Sequence, residues 1–318
     1  MALDEATTGF LAQLAASDPK SLTEMTPPEA RGFYAELGAL SGPGPEMASV
    51  RDEELAAADG SPFRLRVLVP PGEIGGLVVF YHGGGWVIGG IDENDALCRT
   101  LAVKLGAAVV NVDYRLAPEH PYPAGPEDCW AALRWAAQRM PEIAGHDVPL
   151  IVMGDSAGGN LSAVIAQRAL QADGPRIDCQ VLVYPVTDSD FETDGYRDPA
   201  NQLMLSRESM VWFWDHYAPE PGARLHPDAS PLRSANFAAL PPAVILTAEH
   251  DVLRDEGELY ATRLLKAGVP VRHRRFAGQM HGFFTMVDLL PGAGEALAYV
   301  ATAIEDHLAP EPAEAGLA

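Results

Sequence analysis

The sequence has few cysteines, few lysines and no long apolar run. Its three cysteines, Cys98, Cys129 and Cys179, are odd in number and lack metal-ligand spacing. We therefore expect buried, reduced thiols, no metal site and a cytoplasmic location. No apolar run reaches the roughly 18 residues of a membrane span. The acidic N-terminus lacks the basic and apolar regions of a signal peptide, so we expect neither a membrane span nor secretion.

Positive charge is also scarce. The chain has 22 lysine and arginine residues against 44 aspartate and glutamate residues, which gives a formal net charge of −22. Such a surface repels phosphate backbones and anionic membranes, so nucleic-acid binding is not expected. We interpret the acidity as favouring solubility rather than a cationic substrate. With 318 residues, 47% of them apolar, the chain is long enough for one large α/β domain with insertions.

Strand-like apolar runs alternate with helical patterns along most of the chain. The runs lie at 63–69, 76–82, 107–112, 149–153, 180–184, 242–247 and 270–275. This alternation predicts an α/β fold, in which a mostly parallel sheet carries helices on both faces. Ligand sites in such sheets lie at the carboxyl ends of the strands. The candidate functional residues of this chain all follow predicted strands.

The stretch 154–158, Gly-Asp-Ser-Ala-Gly, joins one apolar run directly to a helix-like run. A Gly-x-Ser-x-Gly sequence between a strand and a helix is typical of a sharp turn that exposes a nucleophilic serine. A serine hydroxyl is a weak nucleophile, so it needs a base, an orienting acid and donors that stabilise the developing anion. We therefore predict that Ser156 is the nucleophile of an acyl-transfer site.

A glycine-rich turn, His-Gly-Gly-Gly at 82–85, follows another buried run. Glycines allow the backbone to approach a substrate closely and to turn its N–H groups toward it. We predict an oxyanion hole built from Gly83, Gly84 and the residue after the nucleophile, Ala157. His82 is expected to hold the shape of this turn by hydrogen bonding.

The base and the orienting acid are expected on two later loops. Of the nine histidines, His281 is the best candidate for the base because it stands in a loop after the last predicted strand. The acid should follow the strand at 242–247, where Glu249, Asp251 and Asp255 are all within reach. Asp255 fits a charge in the first turn of a helix. Spacing alone does not separate Glu249 from Asp251.

Five motifs together resemble the hormone-sensitive-lipase family of bacterial esterases, known as family IV. They lie at 82–85, 114–119, 154–158, 251–255 and 281–283. The resemblance implies an α/β-hydrolase fold with an eight-stranded, mostly parallel sheet and a helical cap. It assigns the acid to the first aspartate of the Asp-x-Leu-x-Asp pattern, Asp251. Val252 stands where family members often have proline, which is a mild departure.

The resemblance also implies an activity. It implies a serine carboxylesterase that hydrolyses short- to medium-chain acyl esters through an acyl-enzyme intermediate, with no cofactor and no metal. The alternative is a lactone or amide (formamidase-like) hydrolase with the same triad. A non-catalytic ligand receptor on this fold is disfavoured, because such receptors lack the histidine that His281 represents. A homodimer formed through the last strand and helix is common among similar proteins.

Two segments interrupt the strand–helix alternation and are predicted to form the cap. Residues 1–45 form its first part and 188–231 its second, which leaves 46–187 and 232–318 as the two parts of the core. Substrate selection is assigned to Trp86, Val87, Ile88, Trp212, Phe213 and Phe283. Packing of the helix onto the domain is an equally good account of the aromatic residues at 212–214.

Overall fold

A computed structural model describes residues 2–309, so the part of the predicted core at 310–318 lies outside the described residues. Its centre is one sheet with the strand order β1-β2-β4-β3-β5-β6-β7-β8. The strands are β1 (Ser49–Ala56), β2 (Pro62–Val69), β3 (Gly76–Tyr81), β4 (Ala107–Asp113), β5 (Leu150–Asp155), β6 (Cys179–Val183), β7 (Ala243–His250) and β8 (Val271–Met280). Strand β2 is antiparallel to β1 and β4, and every other pair is parallel.

Helices cover both faces of this sheet. They are α1 (Glu5–Ala16), α2 (Pro27–Gly38), α3 (Asp95–Leu105), α4 (Ala124–Ala144), α5 (Ala157–Gln171), α6 (Asp194–Arg197), α7 (Arg207–Tyr217), α8 (Pro221–Arg224), α9 (Arg254–Lys266) and α10 (Pro291–Leu308). Helices α4, α5 and α9 pack on one face, and α3 and α10 pack on the other. The predicted α/β fold with a mostly parallel eight-stranded sheet is confirmed.

Strand β3 shows why the central strands have unbroken apolar sequences. All six of its residues are buried. Leu77 and Val79 belong to the apolar cluster on one face, whereas Val78 and Phe80 belong to the cluster on the other. Successive side chains of a strand point to opposite faces, so covering both faces with helices requires apolar residues at every position.

The first strand, β1, was missed by the sequence analysis. Its residues alternate between exposed and half-buried, and 51–54 are four consecutive charged residues. The strand lies at the edge of the sheet and pairs only with β2. Charged side chains on an edge strand discourage pairing with another chain. The same charges hide the apolar alternation that usually identifies a strand.

Two groups of helices lie outside the strand–helix alternation, in the two segments predicted to form the cap, and we refer to them as the cap helices. Helices α1 and α2 precede the sheet, and α6, α7 and α8 lie between β6 and β7. Helix α2 starts at a capping box, in which the Glu29 carboxylate accepts the N–H of Thr26 at 2.8 Å. Helix α7 starts at Ser206, whose hydroxyl accepts the N–H of Ser209 at 3.1 Å. Hydrogen bonds between residues three positions apart therefore set where α2 and α7 begin.

Two further expectations concern the cysteines and the membrane. Cys98, Cys129 and Cys179 are all buried and are not joined in disulfides. Within residues 2–309, no helix combines the length and the apolar character needed to cross a lipid bilayer.

Candidate active site

The turn between β5 and α5 holds Ser156 in a strained conformation. Its backbone has φ +54° and ψ −116°, a region that residues other than glycine rarely adopt. A Cβ atom at Gly158 would lie 1.8 Å from the carbonyl oxygen of Tyr81, and one at Gly154 would lie 2.4 Å from the backbone of Gly158. Both glycines are required because the turn packs directly against the end of β3.

Three residues from separate loops form one hydrogen-bonded row. The Nε2 atom of His281 lies 3.0 Å from the hydroxyl oxygen of Ser156, and its Nδ1 atom lies 2.7 Å from Oδ2 of Asp251. The other oxygen of Asp251 accepts the N–H of Leu253 at 2.9 Å. Asp251 is fully buried. This is the arrangement in which an acid orients an imidazole toward a serine hydroxyl.

The structure separates the three acidic candidates that sequence spacing left open. Glu249 accepts the N–H of Gly278 on β8 at 2.8 Å, and this hydrogen bond holds the pKa of Glu249 below its usual value. Asp255 accepts the N–H of Gly195 at 2.6 Å at the start of α9. Of the three carboxylates, Asp251 is the one bonded to His281.

The glycine turn corrects one sequence-based assignment. The N–H of Gly83 donates to Oδ1 of Asp155 at 2.9 Å, so this amide is engaged within the protein. The N–H groups of Gly84, Gly85 and Ala157 have no acceptor among residues 2–309. Gly84 and Gly85 line the same cavity as the serine and the histidine. Gly85 therefore replaces Gly83 in the candidate oxyanion hole, beside Gly84 and Ala157.

Close contacts explain why glycines occupy this turn. Gly84 has φ +103° and Gly85 has φ +56°, values that favour glycine. A Cβ atom at Gly84 would lie 2.2 Å from the carbonyl oxygen of Ile88, and one at Gly85 would lie 2.2 Å from the ring of Phe213. The turn can pack this closely against Ile88 and Phe213 only because both residues lack a side chain.

His82 and Tyr114 stabilise the glycine turn. The Nδ1 atom of His82 lies 2.7 Å from the carbonyl oxygen of Gly83. The hydroxyl of Tyr114 donates to the carbonyl of His82 at 2.9 Å, and the two rings stack with centroids 4.3 Å apart. These contacts agree with the expectation that His82 shapes the turn.

Asp155 is a buried acid beside Ser156 in the chain. It is 4% exposed, and burial raises its pKa from 3.8 to about 6, although the Gly83 amide acts in the opposite direction. Burial penalises the charged carboxylate, which the folded protein therefore protonates more readily than the unfolded chain does. A proton on Asp155 thus stabilises the folded state at low pH.

This linkage predicts how Asp155→Asn changes stability. The folded-state pKa is raised, so the stabilising effect is complete below about pH 4 and is lost as pH rises through about 6. As the pH rises from about 4 to about 6, the free energy of unfolding of the unmodified protein minus that of Asp155→Asn should therefore decrease. Urea unfolding of both proteins across this range measures the difference. A difference that is constant or rises with pH would contradict the linkage.

A cavity of about 190 Å³ opens onto the serine and the histidine. Its wall comes from the glycine turn, from both parts of the cap and from the loop after His281. Ile88 and Phe213, two of the predicted substrate-binding residues, line it. The wall also contains apolar residues that were not predicted from the sequence, among them Met25, Phe33, Tyr34, Leu205, Met210 and Met286. The amphipathic pattern of the first cap segment was the signal available for Phe33 and Tyr34.

Four other residues assigned to the substrate pocket do not line this cavity. Trp86 is 1% exposed and stacks on Tyr217, with ring centroids 4.1 Å apart. Val87 and Phe283 are fully buried, and the Trp212 ring packs against His216 at 4.3 Å. Their assignment is corrected, because Trp86 packs on the cap helix α7, Val87 and Phe283 lie in the apolar clusters, and the Trp212 ring contacts a residue of its own helix.

An eight-stranded sheet with a strained serine turn and a histidine–aspartate pair at its carboxyl edge defines the α/β hydrolases. Residues 78–285 match a family model described as the alpha/beta hydrolase fold. The chain belongs to the hormone-sensitive-lipase family of these enzymes.

Individual relatives agree with this assignment. The chain is 42% identical over 269 residues to carboxylesterase NlhH of Mycobacterium tuberculosis, which covers 82% of this chain and 84% of the relative. It is 35% identical over 290 residues to the ethyl acetate hydrolase of Pseudomonas putida, with 88% and 90% covered. A thermostable esterase from Pseudomonas putida ECU1011 superposes with a TM-score of 0.89 at 36% identity, covering 98% of this chain and 99% of that one. The chain is a carboxylic ester hydrolase.

Proposed function

We propose that Ser156, His281 and Asp251 are the catalytic triad of a serine carboxylesterase, with Gly84, Gly85 and Ala157 as its oxyanion hole. The observation that carries the proposal is the imidazole of His281, which lies within hydrogen-bond distance of both the serine hydroxyl and the buried carboxylate. A nucleophile, its base and an orienting acid in this geometry constitute the machinery of acyl transfer.

In the first half of the reaction, His281 removes the proton from Ser156 as the hydroxyl oxygen attacks the ester carbonyl. The Asp251 carboxylate orients the ring and stabilises the imidazolium that forms. The free amides of Gly84, Gly85 and Ala157 hold the negative oxygen of the tetrahedral intermediate. His281 then protonates the leaving alcohol, which leaves an acyl ester on the serine.

In the second half, His281 removes a proton from a water molecule, which attacks the acyl carbonyl. A second tetrahedral intermediate forms in the same oxyanion hole. Its collapse breaks the bond to the serine oxygen, which takes back the proton from the imidazolium, and the carboxylic acid leaves. None of these steps requires a cofactor or a metal.

The size and the lining of the cavity support short- to medium-chain acyl esters as substrates. Its volume of about 190 Å³ is below the roughly 300–1,000 Å³ of pockets that enclose drug-sized ligands. Its wall is largely apolar, with Leu205, Met210 and Phe213 contributed by the second cap part. An apolar wall of this size suits a short or medium acyl group better than a long one.

A series of nitrophenyl esters from acetate to palmitate tests this proposal. We expect kcat/KM to be highest at a short or medium chain and to fall at least about tenfold once the chain outgrows the cavity. Lactones and anilides in the same assay test the alternative reactions. Best turnover on long-chain triglyceride emulsions would overturn the substrate class, and faster cleavage of amides or lactones would favour the alternative activity.

The boundaries of the cap belong to the same proposal. We assign 1–45 and 188–231 to the cap because residues of both segments line the cavity, whereas 46–187 and 232–318 contain the strands of the sheet.

The three buried cysteines without disulfides support a reducing, cytoplasmic location. A homodimer through β8 and α10 stays a prediction.

A further inference from the structure

Helix α2 faces the cavity with one side and the core with another. Ala30, Phe33, Tyr34 and Leu37 of this helix line the cavity. Arg31 lies on the same helix, and its side chain extends to two loops of the core, which contain Val87 and Ala117. Arg31 is not among the site residues predicted from the sequence, and it takes no part in the reaction described above.

Arg31 makes four hydrogen bonds to these loops. Its Nε donates to the carbonyl of Val87 at 2.9 Å, and its Nη2 donates to the carbonyl of Ala117 at 2.9 Å. Its two terminal nitrogens also donate to the two carboxylate oxygens of Glu119, at 2.9 and 2.6 Å. The planar guanidinium thus binds a carboxylate through two parallel bonds and still reaches two backbone carbonyls, a geometry that lysine cannot reproduce.

These four hydrogen bonds connect α2 to the core. Across residues 2–309, no other side chain of 27–38 is hydrogen-bonded to the core. Glu29, the other charged residue with partners in this helix, bonds to Thr26 and Lys20, and both belong to the cap. Apart from apolar packing, the position of this cavity wall therefore depends on Arg31.

The core side of the connection lies next to the oxyanion turn. The N–H groups of Val87 and Ile88 both donate to the carbonyl of Gly84, at 3.1 and 3.0 Å, and the N–H of Ala117 donates to the carbonyl of Trp86 at 2.9 Å. Arg31 therefore connects α2 to two loops that are already joined to each other. None of these bonds involves Arg31, so we expect the turn to keep them in a variant that lacks this side chain.

The contribution of Arg31 is one of geometry more than of charge. The side chains of Arg31 and Glu119 are 30% and 51% exposed, and exposed ion pairs add little to stability. The guanidinium holds the pKa of Glu119 below its usual value, so the carboxylate stays ionised over the neutral range. Four directional bonds on one side chain fix the distance between two elements even where their net energy is small.

We propose that Arg31 is a positioning residue for substrate selection: it holds the α2 wall against the oxyanion turn, with Glu119 as its main anchor, and thereby sets the width of the acyl cavity. The inference deepens the proposed esterase function and rests on it. It also gives a role to Glu119, the last residue of the 114–119 motif.

The test compares Arg31→Ala, Arg31→Lys and Glu119→Gln with the unmodified protein on nitrophenyl esters of graded acyl length. Removing the guanidinium should raise KM for the best ester about tenfold, which corresponds to one lost directional interaction. It should also flatten the chain-length profile, because a looser wall discriminates less. We expect kcat to stay within about threefold, because the row of Ser156, His281 and Asp251 is untouched.

The other variants separate the geometric role from a general loss of charge. Arg31→Lys keeps the charge but loses the paired bonds, so it should resemble Arg31→Ala. Glu119→Gln should shift KM in the same direction by less, and adding it to Arg31→Ala should cause no further change. Arg139→Ala removes an exposed ion pair to Glu142 on α4 and should leave both KM and the profile unchanged.

Three results would overturn the proposal. The first is an unchanged KM and chain-length profile in Arg31→Ala, and the second is a fall in kcat with KM unchanged. The third is a lysine variant that behaves like the unmodified protein, and this comparison decides the matter if the alanine variant does not fold. Ester hydrolysis by the unmodified protein is measured in the same assay, so failure of the positioning role is distinguishable from failure of the esterase function.

Discussion

Replacing Ser156 with alanine should lower kcat/KM for a short-chain nitrophenyl ester by about 10⁴- to 10⁶-fold. The variant loses the oxygen that forms the acyl-enzyme, while the oxyanion amides and the cavity remain. The backbone N–H of residue 156 donates to the carbonyl of Val183 at 2.8 Å, and alanine keeps this bond. We therefore expect an unchanged fold, with a thermal unfolding midpoint close to that of the unmodified protein.

Two further measurements make this result specific. A fluorophosphonate probe should label the unmodified protein at one serine and should not label the Ser156→Ala variant. Ser162→Ala is a matched control, because this buried hydroxyl on α5 donates to the carbonyl of Gly158 at 2.9 Å and does not face the cavity. Retention of more than about one hundredth of the activity in Ser156→Ala would remove the nucleophile assignment.

Replacing Asp251 with asparagine should lower kcat by about 10⁴-fold with little change in KM. The side chain keeps its shape, so the cavity and the N–H bond from Leu253 are preserved. Asparagine presents no negative charge to Nδ1 of His281, and its amide can hold the ring in the wrong tautomer. The imidazolium that forms during attack then lacks its stabilising partner.

Glu249→Gln provides the matched control for this change. The residue lies two positions before Asp251, near the end of β7, and its carboxylate binds the N–H of Gly278, which glutamine can still do through its carbonyl oxygen. We expect kcat of this variant to stay within a few-fold of the unmodified value. If Glu249→Gln were as damaging as Asp251→Asn, the assignment of the orienting acid would be wrong.

The residues placed in the triad were accessible from the sequence for a physical reason. A serine in a sharp strand-to-helix turn needs small neighbours on both sides, and 154–158 shows them directly. His281 and Asp251 follow strands whose carboxyl ends must meet at one edge of a parallel sheet. The choice between Asp251 and Glu249 required more than spacing. The family pattern favoured Asp251, and the distance to His281 agrees.

The proposed oxyanion donors could not be identified from the local sequence alone. Three consecutive glycines look equivalent in the sequence, which predicted Gly83 and Gly84 as donors. In the folded chain, the carboxylate of Asp155 engages the Gly83 amide, which leaves Gly84 and Gly85 facing the cavity. The deciding contact joins residues 72 positions apart. No pattern within the glycine motif indicates it.

The cavity wall depends even more on long-range packing. Trp86 directly follows the glycine turn, and its position suggested a substrate contact. Its side chain instead packs against two aromatic residues of α7, Trp214 and Tyr217. Phe213, on the same helix, turns its ring toward Gly85 and the cavity. Which side of a cap helix faces the substrate follows from how the helix docks.

The sequence by itself determined the class of fold, the sharp serine turn and the family, because these depend on backbone conformations and apolar periodicities that neighbouring residues impose. Only the tertiary structure decided which glycine amides are free, which aromatic rings reach the cavity and what Arg31 connects. Each of these depends on the mutual position of two elements distant in the chain, which is set by packing of the whole cap and core.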